Sequence, residues 1–401
     1  MTSDRRSDPI YLDHNATTPL APEVLDAMLP FLRGSYGNPS SEHALGRRAH
    51  DAVENGRQQV ASLIGAALEE VIFTSGGTES NNIAIRGTAA TAAPWRRRIV
   101  TSQVEHPATQ RPCGLLESRG WTITRLPVNR AGSIDPVVFD AALDDDVALL
   151  TVMLAQNETG ALLPIPAMTV VARPRGVVTH TDAAQAVGKI EVDVDTLGVD
   201  LLSIAGHKFY GPKGVGALYV RRGTALEPVL LGAGQERGLR PGTENVAGIV
   251  GLGAACDLAQ LRMTSESVRI SALREQLWRA LAERIPSVVR HTPMEGSVPN
   301  TLLVSFPGAI GSDVLARAPG LAASTGSACH TGQHTPSSVL IAMGVESDVA
   351  RGVVRLSLGH DNSSADVAAA ADILVNAVRE STGGLPSAGG SFNEIEGAPH
   401  D

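Results

Sequence analysis

The chain has few cysteines and few aromatic residues, and both shortages limit what it can be. Its 401 residues include three cysteines, and aromatic residues make up 3%. The cysteines Cys113, Cys256 and Cys329 are far apart and form no Cys-x-x-Cys pair. An odd number of distant cysteines argues against a disulfide framework. The missing pair argues against structural zinc, so no metal site is predicted.

Long apolar runs and clustered positive charge are scarce as well. The longest apolar run, Val246–Cys256, has eleven residues, whereas a membrane-spanning helix needs about twenty. The first eight residues, MTSDRRSD, lack the apolar core of a signal peptide. The formal net charge is −9, and Arg96–Arg98 is the one run of three basic residues. A nucleic-acid groove needs clustered Lys and Arg, so we expect a cytoplasmic protein without membrane or nucleic-acid partners.

Lysine is nearly absent. Lys and Arg together number 33, and only Lys189, Lys208 and Lys213 are lysines. Arginine cannot replace lysine where chemistry needs a neutral amine, because its guanidinium stays protonated. Each of the three lysines is therefore a candidate for amine chemistry.

Strand and helix patterns alternate along the first two thirds of the chain. Seven short runs predict strands: Val71–Thr74, Ile99–Ser102, Thr122–Leu126, Ala148–Leu154, Val177–Thr181, Leu201–Ile204 and Gly216–Val220. Several runs are continuously apolar, as expected for strands covered on both faces. The alternation predicts an α/β fold with a mostly parallel sheet.

The pattern changes after about residue 260. Amphipathic helices are predicted over Ser265–Ile285 and Ala365–Glu380, and strands over Leu302–Phe306 and Val353–Leu358. We expect a large domain over residues 21–260 and a smaller α+β domain over 261–380, to which residues 1–20 also contribute. Residues 381–401 are rich in Gly, Ser and Pro, which predicts a disordered tail.

A glycine-rich turn follows the first of the predicted sheet strands. The run Phe73–Ser80, FTSGGTES, ends a strand and opens a helix. Free backbone N–H groups at a helix N-terminus attract anions, glycines let a phosphate approach, and Thr78 adds a hydroxyl. Many such turns are glycine-rich for steric reasons alone, so this run by itself leaves a phosphate site open.

A carboxylate and a lysine follow two other strands. Asp182 ends one β-rich run, and Lys208 comes 26 residues later in GHKFYGPKG. Pyridoxal phosphate needs a Schiff-base lysine, a carboxylate for its ring nitrogen and a phosphate site. Such groups gather at the carboxyl ends of strands in open α/β sheets. Asp182 alone could equally be a helix N-cap, while Lys189 and Lys213 have the sequence context of surface residues.

Nine short motifs follow one another between Tyr11 and Gly359. They are YLDHNATTP, GNPSS, SGGTESNN, VEH, QNETG, HTDAAQ, GHKFYGPKG, RPGT and STGSAC. Each is loose by itself, but in series they resemble the NifS/IscS-type cysteine desulfurases of the class V aminotransferase fold. The resemblance implies pyridoxal-phosphate fold type I, with a seven-stranded sheet in the large domain.

The resemblance also implies roles for matching positions. Lys208 would carry the cofactor as a Schiff base and move protons. His106 would stack on the pyridine ring and act in catalysis. The remaining cofactor-binding positions would be Gly77, Thr78, Asn157, Asp182, Gln185, His207 and Thr243. Asp182 would pair with the ring nitrogen and Gln185 with the phenolic oxygen, and Thr243 would reach in from the partner of a homodimer.

Substrate and nucleophile positions follow in the same way. Asn38, Asn157 and Arg355 would bind the substrate, with Arg355 suited to a carboxylate. Residues 323–335 resemble the long catalytic loop of the group I enzymes, and Cys329 lies in it. A polar, aperiodic segment predicts an exposed mobile loop, in which His330 and His334 would favour the Cys329 thiolate. Cys256, in an apolar helical run, and Cys113 are predicted to be inert.

One position departs from the family pattern. Ala205 stands where the family usually has a serine that contacts the phosphate, and a lost hydroxyl costs about 1 kcal/mol. Some selenocysteine lyases also carry an apolar residue there and a Ser-Ala-Cys-His-like motif, which Cys329-His330 resembles.

Conversion of L-cysteine to L-alanine is the predicted reaction. Sulfur would be left as a persulfide on Cys329 and passed to an acceptor protein. Selenocysteine lyase is the alternative activity. A non-catalytic scaffold with this fold is a third hypothesis, against which the retention of Lys208 and Cys329 argues.

Overall fold

The computed structural model describes residues 8–326 and 336–383. The predicted loop cysteine, Cys329, lies outside the described residues, as do His330, His334 and the predicted tail from residue 384 onward. The described strands, in chain order, are β1 (Ile10–Tyr11), β2 (Val71–Thr74), β3 (Arg98–Ser102), β4 (Thr122–Leu126), β5 (Val147–Thr151), β6 (Val178–Asp182), β7 (Leu201–Ala205), β8 (Gly216–Val220), β9 (Val289–Arg290), β10 (Thr301–Ser305), β11 (Leu321–Ala322) and β12 (Val353–Ser357).

The helices pack around these strands. They are α1 (Pro22–Arg33), α2 (Ala44–Ile64), α3 (Gly77–Thr91), α4 (Pro107–Glu117), α5 (Pro136–Ala141), α6 (Ile165–Ala172), α7 (Val194–Leu197), α8 (Val246–Arg284), α9 (Gly311–Ala316), α10 (Ser338–Ala342), α11 (Ser347–Arg351) and α12 (Ser364–Ser381). A single 3₁₀ turn, Gly206–Lys208, follows β7 and carries the candidate lysine.

Seven strands form one mixed sheet in the order β2-β8-β7-β6-β5-β3-β4. The pairs from β7 across to β4 are parallel, whereas β8 runs antiparallel to both of its neighbours. Every residue of β5 and β7 is buried, as their continuous apolar runs predict. The predicted α/β fold with a mostly parallel seven-stranded sheet is therefore confirmed.

Two small sheets accompany a second apolar core. Strands β12, β10 and β9 pair antiparallel, and β1 pairs with β11. The second core contains Leu12 from the N-terminal segment together with residues of β10, β12 and α12. The N-terminal segment thus passes beside β12, where Asp13 forms a bridge with Ser357.

Helix α8 runs through both cores. Near its start, Leu252 and Cys256 pack in the core of the large sheet, and near its end Leu277 and Leu281 pack in the second core. Residue 260, where the sequence places a domain boundary, lies within this continuous helix. By length and composition α8 could cross a membrane, and its buried residues occur in both halves of the helix.

Candidate active site

The carboxyl edge of the large sheet gathers most of the predicted cofactor residues. Asp182 is the last residue of β6, and Lys208 follows β7 in its 3₁₀ turn. His106 and Asn157 follow β3 and β5, and Gly77 opens α3 after β2. Adjacent parallel strands bring their carboxyl ends together, so these residues face one region.

Asp182 is a buried carboxylate with two fixed partners. Its Oδ2 accepts from Asn81 Nδ2 at 2.7 Å, and its Oδ1 accepts from the backbone N–H of Ala184 at 3.0 Å. The bond from the Ala184 N–H caps the turn that follows β6. This bond does not prevent the carboxylate from also binding a cofactor. Asn81, on α3, is a partner that sequence reasoning did not assign.

His106 is the N-cap of α4. Its Nδ1 accepts from the backbone N–H of Ala108 at 3.1 Å, which leaves Nε2 as the protonated nitrogen of the neutral ring. Burial lowers the pKa of His106, and the Asp182 carboxylate opposes that shift. The imidazole is thus neutral and held by the start of a helix.

Lys208 presents its amine to the N-terminal segment. The Nζ donates to the carbonyl oxygens of Asn15 at 2.7 Å and Ala16 at 2.9 Å. Burial, and secondarily the positive charge of Arg355, lowers the pKa of Lys208 to about 8. A substantial neutral fraction at physiological pH is what an amine nucleophile and proton carrier needs.

The other two lysines, Lys189 and Lys213, differ in their exposure to solvent. Lys213 is exposed, but Lys189 is half-buried and its amine is hydrogen-bonded inside the protein, which corrects its predicted surface position. Gly188, with φ of +76°, turns the chain inward at this point. Ser267 on α8 then packs over the turn, its hydroxyl donating to the Lys189 carbonyl at 2.7 Å.

Gln185 joins Lys189 to the segment that holds Lys208. Its Oε1 accepts from Lys189 Nζ at 2.6 Å, and its Nε2 donates to the Asn15 carbonyl at 2.9 Å. Asn15 belongs to the YLDHNATTP motif, but no role was predicted for it. Its neighbours come from distant parts of the chain, so no local pattern could predict these contacts.

The start of α3 forms a cradle with the end of β7. A Cβ added to Gly77 would lie 3.5 Å from the Cβ of Ala205 and 3.9 Å from that of Ala184. Ala205 therefore lines the same space as Gly77, and the first N–H groups of α3 have no acceptor within the helix. Thr78 is exposed at this end of the helix. Backbone N–H groups at a helix N-terminus suit a phosphate.

His207 lies in the 3₁₀ turn, two residues after Ala205. Its Nδ1 lies 3.1 Å from Thr17 Oγ1. Burial, with the charges of Lys208 and Lys213, lowers the pKa of His207 to about 4, so the ring is neutral. A neutral imidazole can donate one N–H to an anion without adding charge.

Arg355, on β12, is the buried guanidinium of the site. It is 4% exposed, and it donates to the Asn157 carbonyl at 2.9 Å and to Asp13 Oδ1 at 2.8 Å. Its Nε has no hydrogen-bond partner among the described residues. An unsatisfied buried donor is costly unless a ligand or water completes it.

The two flanks of the Cys329 segment lie beside these residues. On one side, the Arg355 backbone N–H donates to the Ser324 carbonyl at 2.6 Å. On the other, Ser337 donates to Oε2 of Glu158 at 2.7 Å. Glu158 follows Asn157 directly, and sequence reasoning gave it no role. Both flanks are thus anchored next to Arg355 and Asn157.

Two predicted residues lie apart from these contacts. Asn38 is in the loop between α1 and α2, where its Oδ1 accepts from the Ser40 backbone N–H at 2.9 Å. Thr243 is exposed in the segment that precedes α8.

Cys113 and Cys256 are buried thiols. Burial raises the pKa of Cys113 to about 12 and that of Cys256 further, as expected of inert thiols.

The seven-stranded sheet, with a lysine, a carboxylate and a phosphate cradle at its carboxyl edge, defines the class of pyridoxal-phosphate enzymes of fold type I. Residues 10–369 match the family model described as aminotransferase class-V. The chain belongs to this family and, within it, aligns along most of its length with cysteine desulfurases.

Three relatives illustrate the similarity. The chain is 46% identical to the cysteine desulfurase IscS of Dictyoglomus turgidum over 367 residues, which cover 91% of this chain and 93% of that protein. A solved NifS-like protein shares 35% identity with a TM-score of 0.87, covering 92% of this chain and 98% of its own. The structure described as SspA in complex with cysteine shares 35% identity with a TM-score of 0.77, covering 87% and 98%.

This family implies pyridoxal phosphate, and the residues present fit it. The Gly77–Ala205 cradle is a place for its phosphate, and a Cβ at Gly77 would narrow that space. Lys208 supplies an amine of lowered pKa, and Asp182 supplies a buried carboxylate. The unpaired Nε of Arg355 is available to a bound anion.

Proposed function

We propose that this chain is a pyridoxal-phosphate-dependent cysteine desulfurase. It would convert L-cysteine to L-alanine, leave the sulfur as a persulfide on Cys329 and pass it to an acceptor protein. The observation that carries the proposal is the placement of Arg355. This buried guanidinium is tied to Asn157 and to Ser324, at the flank of the segment that contains Cys329.

Each end of the cofactor has its own residues. The N-terminus of α3, with Gly77, Thr78 and His207, would hold the phosphate, and Asp182 would hold the ring nitrogen. His106 would lie on the ring, and Gln185 would approach its phenolic oxygen. When bound, pyridoxal phosphate supplies an electron sink for substituents of the substrate's Cα and Cβ.

The chain's own side chains would perform the remaining steps. Arg355 would bind the substrate carboxylate with N–H groups not used by Asp13 and Asn157. Lys208, with a pKa of about 8, would take the Cα proton on Nζ and return protons to the product. Asn157, bonded to Arg355, would border the substrate pocket, whereas a substrate role for Asn38 is supported only by the resemblance to the family.

Cys329 would be the nucleophile. Its thiolate attacks the substrate sulfur, a new S–S bond forms and the Cβ–S bond breaks. The electron pair of the broken bond ends in the new Cβ–H bond of alanine, and the sulfur stays on Cys329. One cysteine and one thiol thus give one alanine and one persulfide, with no external oxidant.

The comparisons favour cysteine over selenocysteine as substrate. The relatives reported above are named cysteine desulfurase or NifS-like, and one neighbour is described in complex with cysteine. Ala205, which raised the selenocysteine alternative, lines the phosphate cradle, a place that does not distinguish sulfur from selenium. The presence of Lys208, Asp182 and Arg355 in one site argues against a non-catalytic scaffold.

A homodimer completes the proposal. Thr243 is exposed in a segment with large exposed apolar side chains, of which Leu231 is 88% exposed. We infer that this segment lies against a second copy, where Thr243 would reach the phosphate of the partner site. Sedimentation of the holoenzyme at two concentrations tests this, because a monomer at both would contradict it.

Replacement of Cys329 tests the reaction directly. Cys329→Ala should keep the cofactor's visible absorbance and lose alanine formation from L-cysteine. Cys113→Ala is the matched control, since Cys113 is a buried thiol whose pKa is raised to about 12. It should keep nearly full activity, whereas normal turnover by Cys329→Ala would show that another group takes the sulfur.

A further inference from the structure

Lys189 is a buried amine to which the proposed reaction gives no role. Its Nζ donates to Asn15 Oδ1 at 2.9 Å and to Gln185 Oε1 at 2.6 Å. Burial first, and then the positive charges of Lys208 and Arg355, hold the pKa of Lys189 well below its ordinary value. The amine is therefore held inside the protein by two hydrogen bonds, in surroundings that disfavour its charged form.

Asn15 is the residue through which Lys189 reaches the rest of the site. It is 1% exposed, and every polar atom it has is hydrogen-bonded. Its partners are Ser357 at its backbone N–H, Gln185 and Lys208 at its carbonyl, Lys189 and Asn300 at Oδ1, and Asn157 and Thr301 at Nδ2. Asn15 thus links the turns that follow β5, β6 and β7 to β10 and β12.

We propose that Lys189 is a positioning residue that holds Lys208 through Asn15, an inference that rests on the proposed function. Lys189 binds the side chains of both Asn15 and Gln185. Gln185 in turn donates to the Asn15 carbonyl, the oxygen that accepts from Lys208 at 2.7 Å. Lys189, Gln185 and Asn15 thus close a ring of hydrogen bonds, and Lys208 is bonded to this ring at the Asn15 carbonyl.

A small cavity beside Lys189 and Lys208 could supply water to the Lys208 amine if these hydrogen bonds were lost. It has a volume of about 30 Å³ and is lined in part by Lys189, Lys208, His14 and Asn300. Such a volume suffices for one or two water molecules. If Asn15 shifts, the cavity opens further toward the Lys208 amine, and water there would stabilise the charged form of the amine. Lys208 would then react less readily near neutral pH.

Several ionisable groups surround the two amines. The charge of Arg355 lowers the pKa of Lys208, and the carboxylates of Asp182 and Asp13 raise it. The charge of Lys208 in turn lowers the pKa of His106 and His207. The charges of Lys208 and Arg355 lower the pKa of Lys189, and Lys189 lowers the pKa of His14. Lys189→Met removes the charge of the amine together with its hydrogen bonds, whereas Lys189→Gln removes the charge but keeps a donor, so the difference between the two variants reports the lost contact.

The experiment measures the reactivity of the Lys208 amine rather than turnover. The full chain is stripped of cofactor with hydroxylamine and mixed with pyridoxal phosphate over a neutral to alkaline pH series. Borohydride fixes the bound cofactor, and peptide mapping follows the label on Lys208 with time. The variants are Lys189→Met, Lys189→Gln and the control Lys213→Met, whose lysine is exposed.

In the wild type and in Lys213→Met, the capture rate should rise with pH and level near the Lys208 pKa of about 8. In Lys189→Met the profile should shift upward by about one pH unit, so that capture at neutral pH falls about tenfold. Lys189→Gln keeps a hydrogen-bond donor and should recover part of the loss.

Two results would overturn the proposal. One is an unchanged profile in Lys189→Met with the label on Lys208. The other is failure of both Lys189 variants to fold, which would make Lys189 a residue of stability. No label on Lys208 in the wild type would instead contradict the proposed function, and the inference with it.

Discussion

Arg355→Lys keeps the positive charge of residue 355 and removes its planar guanidinium. The two terminal nitrogens of Arg355 are tied to Asn157 and Asp13, and the side chain is 4% exposed. A lysine keeps the positive charge but has one point-like ammonium, which cannot hold both tethers and a substrate carboxylate in a fixed plane. The substitution therefore tests geometry at nearly constant electrostatics.

The size of the effect follows from the bonds lost. A hydrogen bond to a charged group contributes about 1.5–3 kcal/mol. Loss of one such bond to the substrate, with some disorder of the tethers, gives a loss of about 3 kcal/mol. That corresponds to a fall in kcat/KM of roughly a hundredfold. Because the carboxylate is bound before and during the reaction, most of the change should appear in KM.

The assay is alanine formation over a range of L-cysteine concentrations. Arg351→Lys is the matched control, since Arg351 is exposed and pairs with Asp348 at the surface. Its kinetics should be unchanged. A normal KM in Arg355→Lys, at normal cofactor content, would refute the assignment of Arg355 to the substrate carboxylate.

Three further predictions concern pH, the cofactor and stability. Burial raises the pKa of Glu105 to about 8, so the native state binds more protons than the unfolded chain between about pH 4.3 and 8. Unfolding free energy should fall as pH rises through that window, and Glu105→Gln should flatten the fall in urea titrations; an equal slope in both proteins would be inconsistent with a protonated Glu105. Ala205→Ser adds a hydroxyl beside Gly77 and should lower the cofactor Kd about fivefold, for about 1 kcal/mol, measured by equilibrium dialysis; no gain would mean that residue 205 does not face the phosphate. Glu236 accepts from Arg57 twice and from the Phe73 backbone N–H, so Glu236→Gln should cost about 3–5 kcal/mol of unfolding free energy, and a loss below 1 kcal/mol would contradict this.

The sheet could be predicted because its information is local. Continuous apolar runs mark β5 and β7 as buried on both faces, and each stands as one short segment of sequence. The long helix α8 was harder, because three glycines near its start look like an interruption. A Cβ at Gly253 would lie 2.9 Å from the Cα of Gly56 on α2. Gly251, beside Met28 of α1, and Gly253 thus allow close packing against other helices and do not end α8.

Residues that act through distant partners escaped prediction. Lys189 follows a glycine, a context typical of a surface turn, yet its amine is bonded to Asn15 and Gln185 and its carbonyl accepts from Ser267 of α8. Asn15 stands in a quoted motif, but its partners Asn300 and Ser357 are about three hundred residues away. Such contacts depend on how two cores come together, and no local pattern encodes them.

The most direct test of the central claim is a single turnover of the holoenzyme with a limiting amount of L-cysteine. Alanine is quantified, and the protein is digested without reductant for mass spectrometry of its cysteine peptides. We predict one alanine for each added sulfur atom, and that sulfur on the Cys329 peptide. Alanine formed without added sulfur on that peptide, or sulfur on Cys113 or Cys256 instead, would contradict the account.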